Sequence, residues 1–499
     1  MAKTSYVTQI AGTIGSLWLM WIVLDFVWWY TSPFRNLIAY YLRPLTSPIK
    51  AGAGYLWHRA SLAWRTRQAR KRGDVVLGHL FLNDYDRVRH THIVGTTGSG
   101  KTETTKRLIF SDIAKGRGCF IIDPKGDREL YEEVLGFCKS IGRENDLKLI
   151  SATYADESCV WNPCGLGNAS ELQSKFHNSN VYSEPYYAKA CEAGLIRAFN
   201  LLAKTKPHGF GINELTATLK QIAQAENSKT LEGLFYDFQN LTQSEWAPIL
   251  GCSPALAKGR EISLINVIKN QQILFVDLPT EGKSLQSSRV GRLLTQELIL
   301  ISGLKKSCPS LTGRTRVFSV FIDEFDAFAT ESFVTFLNKA RSSGFMIHII
   351  HQTLSDLKKI SPEFMGQVLG LCNIHLIGIQ HDPDDAELWA RLIGTQTTVK
   401  QTYQTDVRGS TGRASNRVVE EFIISPNTIK RLGVGVFVTS VKTQNFRGII
   451  QVPLPPIYGS EAKDQTESLM KGRTRNLAPA KEATNKWDQV SAPATELTQ

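Results

Sequence analysis

The stretch GTTGSGKT, residues 95–102, has the residue types and the spacing of a phosphate-binding loop. Glycines let backbone amides turn toward phosphate oxygens, a lysine reaches the outer phosphates, and a neighbouring hydroxyl can bind Mg²⁺. The sequence therefore predicts a site for a nucleotide and Mg²⁺. Lys101 and Thr102 take the last two roles, and the other expected nucleotide contacts are Gly95, Thr96, Thr97, Gly98, Ser99 and Gly100.

Three apolar strands end in aspartate, and one of them has the acidic pair that a nucleotide-hydrolysing site needs. GCFIID ends at Asp123, ILFVD ends at Asp277, and VFSVFIDEF reaches Asp323. Because Glu324 follows Asp323, we expect Asp323 to hold the Mg²⁺ shell and Glu324 to polarise the attacking water. Asp123 and Asp277 are interpreted as ordinary polar strand ends.

Two further side chains downstream could act on the nucleotide. FMIHIIHQT is typical of a buried strand and ends at Gln352, which we expect to sense the γ-phosphate from a strand beside the loop. Arg341 lies on the turn between the helix ATESFVTFLNKARSSG and this strand. It either reaches the nucleotide of a neighbouring subunit or is a surface arginine at a helix end. His348 and His351 alternate across the strand, which argues against a metal pair.

The elements beside the loop must position these groups. The strand-like RVRHTHIV precedes the loop, and the helix ETTKRLIFSDIAKG follows it. In this helix Leu108, Ile109 and Ile113 have the spacing of an inward face, and Gly116 marks the end.

The two halves of the predicted site are far apart in the chain, because helical patterns fill the region between them. Strand patterns resume at QQILFVDL and again at 373–380 and 434–441. We therefore predict an α/β fold with an open, mostly parallel sheet. The predicted boundaries are 75–164 and 263–455 for the nucleotide-binding domain, 165–262 for an inserted all-α domain, and 456–499 for a flexible tail.

The amino-terminal region has the composition of a membrane anchor. Residues 9–31 are apolar and rich in Trp, with Asp25 as their one charge, and are long enough for a transmembrane helix. A cleavable signal peptide is the alternative, but no small-residue cleavage site follows. The segment 37–57 is a weaker candidate for a second span. We expect an anchor over 1–60, a basic linker over 61–74 and, from the arginines after the span, the bulk of the chain in the cytoplasm.

The composition is that of a globular protein with an excess of positive charge. The 499 residues are 42% hydrophobic, the formal net charge is +12 and the pI is near 9.2. Such a balance fits an anionic partner such as nucleic acid or lipid headgroups, or simply a cation-rich surface. The eight cysteines lack the spacing of a metal site or a disulfide framework and indicate a reducing compartment.

Together these residues resemble the type IV secretion coupling proteins, the TraD/TraG-type conjugation ATPases. The resemblance spans about 75–452 and implies a RecA-like P-loop NTPase related to the FtsK and HerA translocases, anchored in the bacterial inner membrane. It implies ATP and Mg²⁺ as cofactors and a homohexamer that passes relaxase-bound DNA or a protein to a secretion channel. The matching features are GTTGSGKT, DPKGD at 123–127, WNP at 161–163, the helical insert, FIDEF, KARSSG and HQTLSDL.

The resemblance also implies roles for individual residues. Arg89, just before the first strand, is a weaker candidate than Arg341 for an arginine that reaches the nucleotide of a neighbouring subunit. No base-reading motif is present, which fits DNA handling that is independent of sequence. The implied roles are nucleotide binding at 95–102, Mg²⁺ binding and hydrolysis at Asp323 and Glu324, sensing at Gln352, and an inter-subunit arginine at Arg341.

Two functions remain open from the sequence. The first is an ATPase that recruits or translocates DNA, and the second is a membrane docking receptor for protein cargo in which nucleotide only controls assembly. A double-stranded DNA pump of the FtsK type is disfavoured because no separate DNA-reading domain follows residue 455. An ABC transporter is disfavoured because no LSGGQ-like signature precedes FIDEF.

Overall fold

The computed structural model describes residues 60–126, 128–182, 184–251, 259–280, 284–308, 317–406 and 409–456. The predicted anchor at 9–31 and the weaker candidate at 37–57 lie outside these residues, as does the predicted tail beyond 456. In the part of the chain that is described, no helix combines the length and the apolar character needed to cross a bilayer. The chain divides into two compact units, Met1–Phe81 and Leu82–Gln499.

The first unit contributes one described helix and a short β-structure. Helix α1 covers 60–72, and the strands β1 (Val75–Leu77) and β2 (Leu80–Leu82) form a two-stranded sheet. Ala69 is buried on α1, whereas Trp64 and most of the basic side chains of the helix are exposed.

The second unit is built from a large sheet and two small ones. The remaining strands are β3 (Thr91–Val94), β4 (Cys119–Asp123), β5 (Leu147–Ser151), β6 (Val160–Trp161), β7 (Glu261–Ile262), β8 (Ile273–Asp277), β9 (Phe318–Ile322), β10 (Phe345–His351), β11 (Ile374–Ile377), β12 (Thr395–Asp406), β13 (Gly409–Phe422), β14 (Val436–Val441) and β15 (Phe446–Gln451).

Helices connect most of these strands. They are α2 (Asp84–Arg87), α3 (Lys101–Ala114), α4 (Glu129–Ser140), α5 (Ala169–Ser179), α6 (Pro185–Thr205), α7 (Ile212–Glu226), α8 (Lys229–Thr242), α9 (Leu264–Lys269), α10 (Ser284–Ser307), α11 (Ser332–Ala340), α12 (Leu354–Lys358), α13 (Pro362–Leu371), α14 (Pro383–Ile393) and α15 (Pro426–Lys430).

The large sheet has nine strands in the order β15-β14-β11-β3-β10-β9-β4-β8-β5. The seven strands from β11 to β5 are parallel, and β14 and β15 add an antiparallel edge. Strands β3, β4, β8, β9 and β10 are buried along their whole length, as expected for a parallel sheet with helices on both faces. The predicted α/β fold with a mostly parallel sheet is confirmed.

The elements beside the loop agree with the prediction in part. Helix α3 buries Leu108, Ile109 and Ile113 completely, as predicted. The strand predicted over RVRHTHIV is wrong in length, because β3 begins only at Thr91. Arg87 lies instead at the end of α2, whose first turn is closed by a capping box on Asn83.

Helices α5–α8 follow β6 in the region where the sequence predicts an all-α insert. Their apolar faces pack into the same core as the sheet, so that Phe176 and Phe238 belong to one cluster with Phe120. A buried ion pair between Lys175 and Glu297, at 3.1 Å, also joins α5 to α10. The helical segment is therefore held on the sheet by a shared core.

Strands β12 and β13 form a long antiparallel ribbon that the sequence analysis did not anticipate. Val399 and Val418, which face each other in the pairing, are both exposed. At the ribbon positions whose side chains are described, there is no buried apolar face whose alternation would reveal a strand in a sequence.

Candidate nucleotide-binding site

The predicted nucleotide-binding groups meet at the carboxyl edge of the large sheet. The phosphate loop follows β3, Gln352 follows β10, and the acidic pair follows β9, and these three strands are neighbours. Adjacent strands lie about 4.8 Å apart. Side chains from segments separated by more than 200 residues therefore share one edge.

The phosphate loop is held in its turn by backbone contacts. Gly98 and Gly100 have φ angles of 77° and 94°, which favour glycine. A Cβ on Gly100 would lie 2.9 Å from the amide nitrogen of Gly435, and that amide donates to the carbonyl of Ser99 at 3.0 Å. The loop thus packs directly against the segment that leads into β14.

Lys101 is the first residue of α3, and its ammonium is folded back onto the loop. Nζ donates to the carbonyl of Gly95 at 2.5 Å and to that of Thr96 at 3.1 Å. Burial lowers the pKa of Lys101, and the nearby Asp323 acts in the opposite direction. The ammonium is therefore bonded to the backbone of the loop itself.

The acidic pair follows β9 in a strained turn. Glu324 has a φ of 40°, an uncommon value for a residue with a side chain, and its amide donates to Asp323 Oδ1 at 3.0 Å. Burial raises the pKa of Asp323. Burial and then the charges of Asp323 and Asp326 raise the pKa of Glu324, as suits a base that takes a proton from water.

Gln352 lies beside the phosphate loop as predicted. Its side-chain oxygen accepts a hydrogen bond from the Thr97 hydroxyl at 3.3 Å, and its backbone carbonyl accepts from Gln380 Nε2 at 3.3 Å. Gln352 is exposed, so a phosphate bound at the loop could contact its amide.

Lys125 is a residue of this site that the sequence analysis did not assign. It follows β4 in DPKGD, and its Nζ donates to the hydroxyl of Thr102 at 3.0 Å. Its position could have indicated this role, because it lies in the DPKGD motif, two residues after a strand that ends in aspartate.

Asp123 and Asp277 end the neighbouring strands β4 and β8. The Ser151 hydroxyl donates to Asp277 Oδ2 at 2.6 Å, and the amide of Leu278 donates to the carbonyl of Asp123 at 2.9 Å. These contacts fit the interpretation of both aspartates as strand ends.

Arg341 and Arg89 lie at the opposite edge of the sheet from the phosphate loop of the same chain. Arg341 begins a 3-10 turn before β10, and Arg89 precedes β3. Strand β10 has seven residues, which separates its two ends by about 20 Å. Arg89 is held locally, with its guanidinium over the Tyr85 ring at 3.5 Å. The fold therefore does not bring either arginine to the nucleotide site of its own chain.

The histidines near the site form buried contacts. His92 Nε2 lies 2.5 Å from His351 Nε2, and His92 Nδ1 lies 3.3 Å from His375 Nδ1. Burial, and then the charges of the other two imidazoles, lower the pKa of His92 well below its usual value. His348 lies on the other face of β10 against Arg87, as the alternation predicts.

The groups at this edge suit a nucleotide with Mg²⁺. No side chain caps the amino terminus of α3, and a Cβ on Gly98 would meet nothing within 4 Å, so the loop faces open space. Mg²⁺ usually takes one or two protein oxygens together with phosphates, and Thr102 and Asp323 supply such oxygens. Across the described ranges, no cluster of three or more His, Cys, Asp or Glu is arranged to hold a metal by itself.

Two family models match parts of the chain. Residues 84–151, which contain the phosphate loop, match the helicase HerA central domain. Residues 318–433, which contain the acidic pair and Gln352, match the TraM recognition site of TraD and TraG.

A curated protein is similar to this chain over much of its length. The chain is 24% identical over 412 residues to the type 4 coupling protein DotL of Legionella pneumophila subsp. pneumophila, strain Philadelphia 1. The match covers 66% of this chain and 52% of DotL, so the chain spans about half the length of the curated relative it matches.

Solved structures show the same fold. The bacterial conjugative coupling protein TrwBdeltaN70 is similar with a TM-score of 0.60 at 15% identity, covering 79% of this chain and 92% of that one. TrwB in complex with ADP and Mg²⁺ matches with a TM-score of 0.56 at 15% identity over 77% and 90%. VirB4 of Thermoanaerobacter pseudethanolicus matches with a TM-score of 0.51 at 16% identity over 77% and 97%. The resemblance predicted from the motifs is confirmed in this form: the chain is homologous to the type 4 coupling protein DotL, and two of its segments match the family models of HerA and of TraD and TraG.

Proposed function

We propose that this protein is an ATPase that couples a DNA or protein substrate to a type IV secretion channel. The observation that carries the proposal is the meeting of the phosphate loop, the acidic pair and Gln352 at one sheet edge in a coupling-protein homologue. The TrwB structures with ADP and Mg²⁺ and with nucleotide analogues support ATP and Mg²⁺ as the cofactors.

The roles of the site residues follow from their positions. Lys101 leaves the loop carbonyls and binds the outer phosphates, while the amides at the start of α3 bind the phosphate oxygens. Thr102 and Asp323 hold Mg²⁺, which neutralises phosphate charge when bound. Glu324 accepts a proton from the attacking water, and Gln352 contacts the terminal phosphate from the neighbouring strand.

The assembly is a ring in which each chain completes the site of its neighbour. Arg341, with Arg89 as a second candidate, lies at the sheet edge opposite its own phosphate loop, so it serves a nucleotide on another chain. A homohexamer satisfies this requirement by closing the arrangement on itself. We place this ring at the bacterial inner membrane, anchored through 9–31, with relaxase-bound DNA and the secretion channel as its partners.

The test is phosphate release by the full-length chain without DNA and with single-stranded or double-stranded DNA. We expect DNA to stimulate hydrolysis, and salt to weaken DNA binding as counterion release requires. Lys101→Ala should abolish nucleotide binding. Glu324→Gln should bind ATP but hydrolyse it at least about 100-fold more slowly, while Glu331→Gln, at an exposed glutamate just before α11, is the matched control.

Two results would contradict the proposal. Hydrolysis and substrate transfer that survive Lys101→Ala would exclude the phosphate loop as the motor site. Delivery of protein cargo that survives Glu324→Gln, without stimulation by DNA, would favour the alternative, a docking receptor in which nucleotide controls assembly.

A further inference from the structure

An ammonium group already contacts the metal-binding side of the site. Lys125 Nζ donates to Thr102 Oγ1 at 3.0 Å, so it uses the oxygen that the proposed function assigns to Mg²⁺. The ammonium of Lys101 is turned away and donates to the loop carbonyls of Gly95 and Thr96. Lys125 and not Lys101 therefore contacts the Thr102 hydroxyl in the structure.

The backbone that carries Lys125 is fixed on both sides. Two amides that follow β8 donate to this turn, at 2.9 Å to the carbonyl of Asp123 and at 3.0 Å to that of Pro124. Gly126 has a φ of 72°, and a Cβ there would lie 2.6 Å from the Cβ of Pro279. This tight turn fixes the backbone position from which the exposed Lys125 side chain reaches Thr102.

The charge of Lys125 acts on the acidic pair. Burial raises the pKa of Asp323 and of Glu324, and Lys125 opposes this rise at both carboxylates. Lys125 therefore gives partial compensation to these two successive carboxylates. A cation bound between Thr102 and Asp323 would meet this ammonium at a shared oxygen, where the two positive charges repel each other.

We propose that Lys125 is a built-in competitor of Mg²⁺, whose ammonium occupies the Thr102 side of the site and leaves before the metal binds there. The inference rests on the proposed function, because it concerns the same Mg²⁺ and nucleotide. The competition has two opposite effects on nucleotide affinity. Lys125 supports nucleotide binding without metal, since its ammonium stays beside the phosphates, and it opposes the gain in affinity that Mg²⁺ provides.

The measured quantity is the ratio of two dissociation constants for a fluorescent, non-hydrolysable ATP analogue, one in EDTA and one in excess Mg²⁺. In the full-length Lys125→Met protein we expect weaker binding in EDTA and a ratio at least about five-fold larger than in the unchanged protein, as for a typical coupling between two sites. Lys125→Arg keeps the positive charge and should keep the ratio within about two-fold. Lys139→Met removes an exposed lysine from α4 and should leave both constants unchanged.

The ratio separates competition from a merely structural role. A structural defect would weaken binding equally in EDTA and in Mg²⁺ and leave the ratio unchanged, which would overturn the inference. A smaller ratio in Lys125→Met would also overturn it, because Lys125 would then assist the metal. Absence of analogue binding by the unchanged protein would instead contradict the proposed function.

Discussion

The guanidinium of Arg87 and the carboxylate of Asp112 form a two-point ion pair in the core. Nη1 lies 2.6 Å from Oδ1 and Nη2 lies 2.7 Å from Oδ2, and neither side chain is exposed. Arg87 ends the short helix before β3, and Asp112 lies in the helix after the phosphate loop. The pair therefore joins the two elements between which the β3 strand and the loop are held.

Breaking this pair should destabilise the protein strongly. Arg87→Met leaves a buried carboxylate without its main partner, and we expect the free energy of unfolding to fall by about 3–5 kcal/mol. Arg391→Met removes an exposed ion pair with Glu387 on α14 and should cost about 1 kcal/mol or less. Denaturant unfolding of both variants measures the difference. Equal losses would show that the buried pair has no special role.

The two glycines with positive φ in the phosphate loop should differ in their tolerance of a methyl group. Gly98→Ala adds backbone strain of about 1–3 kcal/mol but meets no neighbouring atom. Gly100→Ala adds similar strain and places its Cβ against Gly435, so we expect the larger loss of stability. The measurement is thermal unfolding of the nucleotide-free proteins. A Gly98→Ala protein as unstable as Gly100→Ala would contradict the contact with Gly435.

Acidification should destabilise the protein through His90. Its Nδ1 accepts from the amide of Ile347 at 3.3 Å, and its Nε2 lies 2.9 Å from the carbonyl of Leu337, so the neutral ring is matched to its site. Burial lowers the pKa of His90 to about 4. Because an unfolded imidazole titrates near 6.5, the unfolded chain binds more protons between pH 6.5 and 4. The stability contributed by neutral His90 is thus present above pH 6.5 and decreases as the pH falls toward 4.

The loss attributable to His90 should be about 2 kcal/mol at pH 5. The measurement is urea unfolding at pH 7 and pH 5 for the unchanged protein and for His90→Gln. We expect the variant to be less stable at pH 7 and to lose about 2 kcal/mol less on acidification. The same pH dependence in both proteins would assign the acid sensitivity to other buried imidazoles, such as His348.

Arg341 should act on a nucleotide bound to another chain. We expect Arg341→Ala and Lys101→Ala proteins to be inactive separately. A mixture of them should recover part of the hydrolysis, because the arginine of a Lys101→Ala chain can complete the intact loop of an Arg341→Ala chain. Phosphate release by mixed subunits measures this recovery, and the same mixture with Arg89→Ala tests the second candidate. A mixture as inactive as its components would exclude a trans role.

The sequence predicted those parts of the site that local patterns define. Each of these parts directly follows an apolar strand: the loop 95–102, the acidic pair that begins at Asp323, and Gln352. Parallel strands bring their carboxyl ends to one edge of the sheet. Their relative positions depend on strand order, which follows from packing between segments distant in the chain. The order β3-β10-β9-β4 could therefore not be obtained from periodicity alone.

Residues whose role depends on distant contacts were not predictable. Lys125 is a lysine in a turn, and the position of that turn depends on contacts with Pro279 and with amides that follow β8. His92 and His375 are 283 residues apart in the chain, yet they meet because β3 and β11 pair. A local sequence pattern does not indicate contacts between segments that are so far apart in the chain.

Hydrogen bonds connect the segment that follows β15 to the phosphate loop. The amide of Val452 donates to the carbonyl of Gly435 at 2.9 Å, and the amide of Gly435 donates to the carbonyl of Ser99 at 3.0 Å. Arg107, two turns into the helix that follows the loop, also donates to the carbonyl of Pro453 at 2.6 Å. A load applied to the chain after Pro453 thus reaches the phosphate-binding turn through two hydrogen bonds in series. Tension on that segment would therefore act on the conformation of the loop, and a change in the loop would act on that segment.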